Sequence, residues 1–280
     1  MLLYGRDFSL RQVADILPKV GTTVGRVWQR TLLDAFIAPR RFGRIMPEFR
    51  RVSDSMFHPG IDDLEPTDIP GEEPIQMLAL DSGYGGMAPQ DLYAVLRIVR
   101  WIKPKKIFEI GTFRGVTTTH LAVNSEAEVY TLDLPRDQAI DVRDYKVDDR
   151  NLLPSQEEIR RTSQRLSPYK RVHQLFGDSR TFDYSPYHKS VDLVIVDACH
   201  LYDYVLSDSK IAFELLAETG AILWHDFPTS LDVTRALRAL ASRWPIIHVE
   251  GTRLALYLRG FSMPQRDGDQ KASASKLRLT

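Results

Sequence analysis

The chain has one cysteine, Cys199, in 280 residues. No internal disulfide can form, so the sequence reads as one for a reducing compartment, the cytoplasm. No apolar run approaches the roughly 20 residues needed to cross a bilayer. The first residues, Met1-Leu2-Leu3-Tyr4-Gly5-Arg6-Asp7, lack the charged-then-apolar layout of a secretory signal. Net charge is missing too: Lys plus Arg and Asp plus Glu number 37 each. No overall field therefore draws the protein to nucleic acid or to an anionic membrane. There is no internal repeat, and Asp62, Asp63, Glu65 and Asp68 lack the spacing and glycine of an EF-hand loop. A further absence concerns the glycines after the apolar run 106–110. They fall as Gly111-Thr112-Phe113-Arg114-Gly115, with none two positions after the first. The G-x-G-x-x-G fingerprint of a dinucleotide site is incomplete, and a pyrophosphate would lack its position of close approach.

What is present at that place is an apolar run carrying Glu109, two glycines four apart, and then a helix-compatible segment, 116–124. This reads as strand, tight turn and helix start. The bland reading is a turn that merely needs glycine. The sharper one is a βα corner at the carboxyl end of a strand, where open α/β sheets bind ligands and where helix-opening amides face the ligand. Glu109 places negative charge near the corner, which disfavours a phosphate and suits a ligand bearing ammonium or hydroxyl groups. A second run, 128–133, ends in Asp133, about 20 residues after the glycine turn, where a ribose-binding acid is expected.

The rest of the chain arranges itself around this corner. Residues 1–52 carry ten Lys or Arg against four Asp or Glu, and residues 53–75 carry seven acids and no Lys or Arg. Helical spacing of Val24, Val27, Trp28, Leu32, Phe36 and Ile37 predicts an amphipathic helix over about 22–38. It is read as packing on its own domain or on a second subunit, which would make a homo-oligomer. Binding to a membrane surface through its arginines is the minority alternative. Residues 53–80 read as an acidic, proline-containing linker or strap, and 81–89 as a glycine-rich loop that could close over a ligand. A helix is expected over 90–102, a charged insertion or lid over 135–164, a helix near 155–166 and a short strand over 171–176 that leads into Gly177-Asp178-Ser179. The run Val191-Asp192-Leu193-Val194-Ile195-Val196 predicts a strand buried on both faces. It delivers Asp197 and His200. A helix to about Ala217 with Gly220 as C-cap, then a strand over 221–224, delivers His225 and Asp226 to the same sheet edge. A helix over 231–243 and a hairpin of 246–249 with 254–258 close the domain at about 261, and 262–280 reads as a disordered tail.

The pattern Glu109-x-Gly111-x-x-x-Gly115 resembles the first motif of class I S-adenosylmethionine-dependent methyltransferases. The runs Val196-Asp197-Ala198-Cys199-His200-x-Tyr202 and Leu223-Trp224-His225-Asp226-Phe227 resemble the macrocin-type branch of metal-dependent O-methyltransferases, with catechol O-methyltransferase more distant. The resemblance covers roughly residues 80–260. It implies a Rossmann-like, seven-stranded, mostly parallel sheet with helices on both faces and a C-terminal antiparallel hairpin, here with an N-terminal helical extension. It implies that Glu109, Gly111, Thr112 and Gly115 hold the amino-acid end of S-adenosyl-L-methionine, Asp133 its ribose, and Asp178 with Ser179 its adenine. Asp197 and Asp226 match the branch's metal carboxylates, and His200 is its candidate general base. His225 stands where these enzymes commonly carry a second acid. It is either a metal ligand, which shifts the site from the magnesium type toward manganese, iron or zinc, or a substrate-binding or supporting group. The implied activity is methyl transfer to a hydroxyl of a small molecule such as a sugar, glycolipid or secondary metabolite, with a divalent metal (Mg or Mn) as candidate aid. The alternative is a non-catalytic cofactor-binding or scaffold protein of the same fold.

Overall fold

A computed structural model of the chain describes residues 61–70, 73–80, 86–138 and 152–261. The expected N-terminal helix, the tail, residues 81–85 of the glycine-rich loop and 139–151 of the charged insertion lie outside the described residues. Eight strands form one sheet: β1 (Asp62–Leu64), β2 (Lys106–Ile110), β3 (Glu128–Asp133), β4 (Val172–Phe176), β5 (Val191–Val196), β6 (Leu216–Trp224), β7 (Ile246–Val249) and β8 (Leu254–Arg259), in the order β1-β7-β8-β6-β5-β2-β3-β4. All neighbours are parallel except β8, which runs antiparallel to both β6 and β7. The expected mixed sheet with its closing hairpin is therefore present, with one strand more than the seven anticipated.

Five described helices flank the sheet: α1 (Pro89–Ile102), α2 (Val116–Asn124), α3 (Gln156–Leu166), α4 (Tyr202–Leu215) and α5 (Leu231–Ala241). The side chains of β5 alternate between two cores. Val194 and Val196 pack toward α4 and α5 with Phe108, Trp224 and Leu237, while Leu193 and Ile195 pack toward α1 and α2 with Ile107, Leu96 and Leu121. A strand covered on both faces needs apolar residues at consecutive positions, which is what its sequence shows. Both Leu193 and Val194 are fully buried.

Two boundaries differ from those read in the sequence. Helix α4 ends at Leu215 and passes straight into β6, so Gly220 is no helix cap but a residue inside the strand. A Cβ at Gly220 would lie 2.6 Å from the carbonyl oxygen of Asp192, next to a register shift between β5 and β6 at 191–193. The glycine permits the close approach of two backbones. The second difference lies in the acidic segment, where β1 adds to the sheet edge by parallel pairing of Asp62, Asp63 and Leu64 with Ile247, His248 and Val249. Leu64 and Ile69 are buried in the core beside it. The following stretch is tied to α2 by side chains one turn apart. Asn124 accepts from Gln76 N–H at 2.8 Å and donates to the Gln76 carbonyl at 2.9 Å, and His120 Nε2 accepts from Leu78 N–H at 3.0 Å.

Candidate active site

The order of strands reverses between β2 and β5, and the carboxyl ends of these two strands open the site. The Asp197 amide donates to the Ile110 carbonyl at 2.9 Å, which brings the end of β5 against the turn after β2. Gly111 has φ 108°, and a Cβ there would sit 2.0 Å from the Asp197 carbonyl oxygen. Its need for glycine is thus set by the neighbouring strand as much as by any ligand. Phe113 and Gly115 both take positive φ, 47° and 68°, which turns the chain into α2.

One cavity lies over this crossing. Gly111, Thr112, Asp133, Asp178, Ser179, Asp197 and His200 all line it, as do Met87 just before α1 and Leu152 and Leu153 from the charged insertion. Seven of the residues singled out in the sequence are thereby brought to one space. Glu109, Gly115, His225 and Asp226 are not on its wall. Glu109 lies beneath the turn, 1% exposed, and accepts from Thr118 Oγ1 at 2.5 Å and Thr131 Oγ1 at 2.6 Å. Burial pushes its carboxyl up to about 8, the two threonine hydroxyls oppose the shift, and the charges of Asp197 and Asp133 add to it. Thr131 Oγ1 also meets Thr112 Oγ1 at 2.7 Å, so Glu109 acts on the wall through a chain of hydroxyls.

Asp133 caps the turn: Oδ2 accepts from Phe113 N–H at 2.8 Å and Oδ1 from Leu134 N–H at 3.0 Å. Burial raises this carboxyl to about 7 against those two amides. Each oxygen keeps a further lone pair, which suits a pair of ligand hydroxyls. Below Asp178 and Ser179 lies Asp208 of α4, fully buried and pushed by burial to about 7, with the Ser179 hydroxyl opposing the shift.

The second half of the site lies at the ends of β5 and β6. His225 is 4% exposed. Its Nδ1 lies 2.9 Å from Asp197 Oδ1 and 3.4 Å from Asp226 Oδ2, and its Nε2 lies 3.2 Å from Asp91 Oδ2. His200 Nε2 approaches Asp226 Oδ2 to 2.6 Å. Arg253, in the turn between β7 and β8, donates through Nη1 to Asp226 Oδ1 at 3.0 Å, and through its backbone N–H and Nε to Asp91, both at 2.9 Å. Burial works against a charged imidazole at His225, but Asp197, Asp226 and Asp91 overcome it and raise the ring's pKa well above the ordinary value. Burial likewise pushes Asp226 and Asp91 up and is outweighed. The contacts of His200 and His225 hold Asp226 well below the carboxylate range, and those of His225 and Arg253 hold Asp91 below it.

A divalent ion fits this donor set. One ligand atom each from Asp197, His225 and Asp226 lie within 4.8 Å of one another, two are anionic oxygens, and the nitrogen belongs to a ring whose other nitrogen is bonded to a carboxylate. A proton on Nδ1 and a cation among the three atoms satisfy the same negative charges, so the two compete for one place.

Residues 108–227 match a family model described as a methyltransferase domain. The span begins within β2 and ends just past Asp226, so it takes in the strand ends that carry Glu109, Asp133, Asp197, His225 and Asp226 but neither Asp91 nor Arg253. Among solved structures, the chain is similar to an S-adenosylhomocysteine-bound methyltransferase, PaMTH1, from Podospora anserina. The identity is 17%, 64% of this chain and 81% of that one are covered, and the TM-score is 0.49. It is also similar to the O-methyltransferase TomG of Streptomyces achromogenes, involved in tomaymycin synthesis and solved with S-adenosylmethionine: 19% identity, 62% and 81% coverage, TM-score 0.45. No curated protein matches. Among the described residues, no helix is long and apolar enough to cross a membrane.

Sequence reasoning missed Asp91 and Arg253. Asp91 lies in α1, whose other buried residues are apolar, and its partner is 162 positions away. The available signal was an acid on the apolar face of a helix, which needs a partner when buried.

Proposed function

We propose that this protein is an S-adenosylmethionine-dependent methyltransferase acting on a hydroxyl oxygen of a small molecule in the cytoplasm, aided by a divalent metal. The observation that carries the reading is that Asp133, with its free lone pairs, and the pair Asp197 and His200 line one cavity on opposite sides of the β2/β5 crossing. A nucleoside placed by Asp133, Asp178 and Ser179 would lie along one wall. The acceptor would lie toward His200.

The cofactor supplies a methyl group on a positively charged sulfur, and a metal held by Asp197, His225 and Asp226 would supply Lewis-acid help in lowering the hydroxyl's pKa. The chain's own part is alignment and proton removal. The acceptor oxygen forms a bond to the methyl carbon as the carbon–sulfur bond breaks and its electron pair stays on sulfur, while the hydroxyl proton passes to His200. His200 Nε2 lies 2.6 Å from Asp226 Oδ2, and a carboxylate beside the ring stabilises the imidazolium that forms when it takes the proton. Glu109, wrapped in threonine hydroxyls, holds the turn, and its raised carboxyl would ionise when an ammonium-bearing cofactor end comes to lie beside it.

Isothermal titration with S-adenosylmethionine and S-adenosylhomocysteine tests the first step. Binding is expected for the native chain, and Asp133→Ala should weaken it by about tenfold or more, the value of one to two charged hydrogen bonds. Absence of binding, or binding indifferent to Asp133→Ala, would end the reading. Binding without turnover on any hydroxylated acceptor, together with no effect of His200→Ala, would favour a non-catalytic cofactor-binding protein.

A further inference from the structure

Asp91 is an unusual residue for its place. The buried face of α1 consists otherwise of Leu92, Ala94, Val95, Leu96, Ile98 and Val99, yet Asp91 is itself fully buried. A carboxylate withdrawn from water needs its lone pairs satisfied. Three donors do this: the Arg253 amide on Oδ1, and Arg253 Nε with His225 Nε2 on Oδ2. Helix α1 is thereby joined to the β6 end and to the β7–β8 turn.

The arrangement has directional content. An ionised carboxylate only accepts, so the His225 nitrogen that faces Asp91 must carry hydrogen. The other nitrogen, Nδ1, faces Asp197 Oδ1 and Asp226 Oδ2, so without a cation it carries hydrogen too. Its proton is the one a cation would displace, because the Asp91 side is closed by Arg253. Arg253 adds a second constraint by occupying Asp226 Oδ1, so that Oδ2 is the oxygen turned to His225 and His200. A simple ion pair anchoring α1 would require Asp91 and Arg253 but would not require the imidazole between Asp91 and the acids.

We propose that Asp91 is a positioning residue that presents His225 Nδ1 as a nitrogen donor to a divalent ion shared with Asp197 and Asp226, so that the centre takes manganese or another first-row transition ion in preference to magnesium. The inference rests on the metal-assisted part of the proposed function and deepens it. Two oxygens and an imidazole nitrogen suit ions that accept nitrogen ligands, whereas magnesium favours an all-oxygen octahedron. Outer carboxylates of this kind typically contribute 10–100-fold in metal affinity.

The full chain and manganese(II) are sufficient for the test. Titration should show manganese bound at least tenfold tighter than magnesium, and pulsed electron paramagnetic resonance of the bound manganese should show nitrogen-14 coupling that disappears in His225→Gln. Asp91→Asn should weaken manganese binding about 10–100-fold and diminish the coupling. A role confined to anchoring α1 would lower stability without moving either readout in the folded fraction. Manganese bound to the native chain without nitrogen coupling would overturn the proposal, as would no manganese binding, no preference over magnesium, or an Asp91→Asn protein with unchanged affinity and spectrum. Should Asp91→Asn fail to fold, the coupling and the ion preference of the native chain decide the matter. S-adenosylhomocysteine binding does not depend on these measurements. Cofactor binding without manganese binding would defeat this inference and leave the methyltransferase reading standing, and the converse result would do the opposite.

Discussion

The two halves of the site bury carboxyl groups to a similar degree and treat them in opposite ways. On the β2/β3 side, Glu109 and Asp133 are surrounded by threonine hydroxyls and backbone amides, all neutral donors, and burial wins: the carboxyls rise to about 8 and about 7. On the β5/β6 side, Asp91 and Asp226 meet His200, His225 and Arg253, and the cationic partners outweigh burial so that both carboxyls fall. Depth alone does not set the ionisation of a buried acid; the charge of its donors does. One half has its positive charge built in, and the other is arranged to receive positive charge from a ligand.

The largest effect is expected where the halves meet. Gly111→Ala would force a methyl group to within 2.0 Å of the Asp197 carbonyl at a backbone φ of 108°, so β2 and β5 must separate at their ends. A loss of about 4 kcal/mol or more in urea denaturation, or failure to fold, is expected. A variant within 1 kcal/mol of the native chain would show that the crossing is softer than described. Next in size is Arg253→Gln, which takes the permanent cation from the paired half and leaves fully buried Asp91 with His225 and the amide of residue 253. About 3 kcal/mol should be lost at pH 7, and a change below about 1 kcal/mol would mean that the imidazole suffices.

The smallest effect is a matter of slope. A carboxyl whose pKa is raised on folding binds its proton more tightly in the folded state, so stability falls as pH climbs from the unfolded value through the folded one. For Glu109 that window runs from 4.5 to about 8. Asp91 and Asp226, lowered from 3.8, act in the other direction: their stabilisation is present above the unfolded value and lost as pH falls through the lowered one. Glu109→Gln should leave stability at pH 5 within about 1 kcal/mol of native and flatten the decline between pH 5 and 8 in the cofactor-free chain. Parallel native and variant curves of urea midpoint against pH would show that Glu109 is ionised throughout that range.

Much of this was legible in the residues themselves. Strands β2, β3 and β5 announce themselves because a central parallel strand must be apolar on both faces, and the acids at their ends stand out against that background. The gathering of Asp133, Asp178, Asp197 and His200 on one cavity follows from their positions at carboxyl ends of parallel strands. What escaped had no local signature. The join of α4 to β6 falls within Leu215-Leu216-Ala217, where nothing breaks a helical pattern and a later glycine imitates a cap. Asp91 and Arg253 find each other only through the fold, and Glu109 shows its true place, beneath the wall and behind Thr112, only once the threonines are seen to surround it. Strand β1 escaped because three residues, two of them acidic, carry no period.

That short strand has a consequence for solubility. Without it, β7 would end the sheet with an open row of amides and carbonyls along a buried strand that is apolar but for His248, the kind of edge that recruits another strand. β1 covers that row, and of its two exposed acids Asp63 pairs with His248 Nδ1 of β7 at 2.9 Å. The pairing of β1 with β7, tied by the Asp63–His248 contact, thus takes the backbone groups of β7 out of reach of another strand.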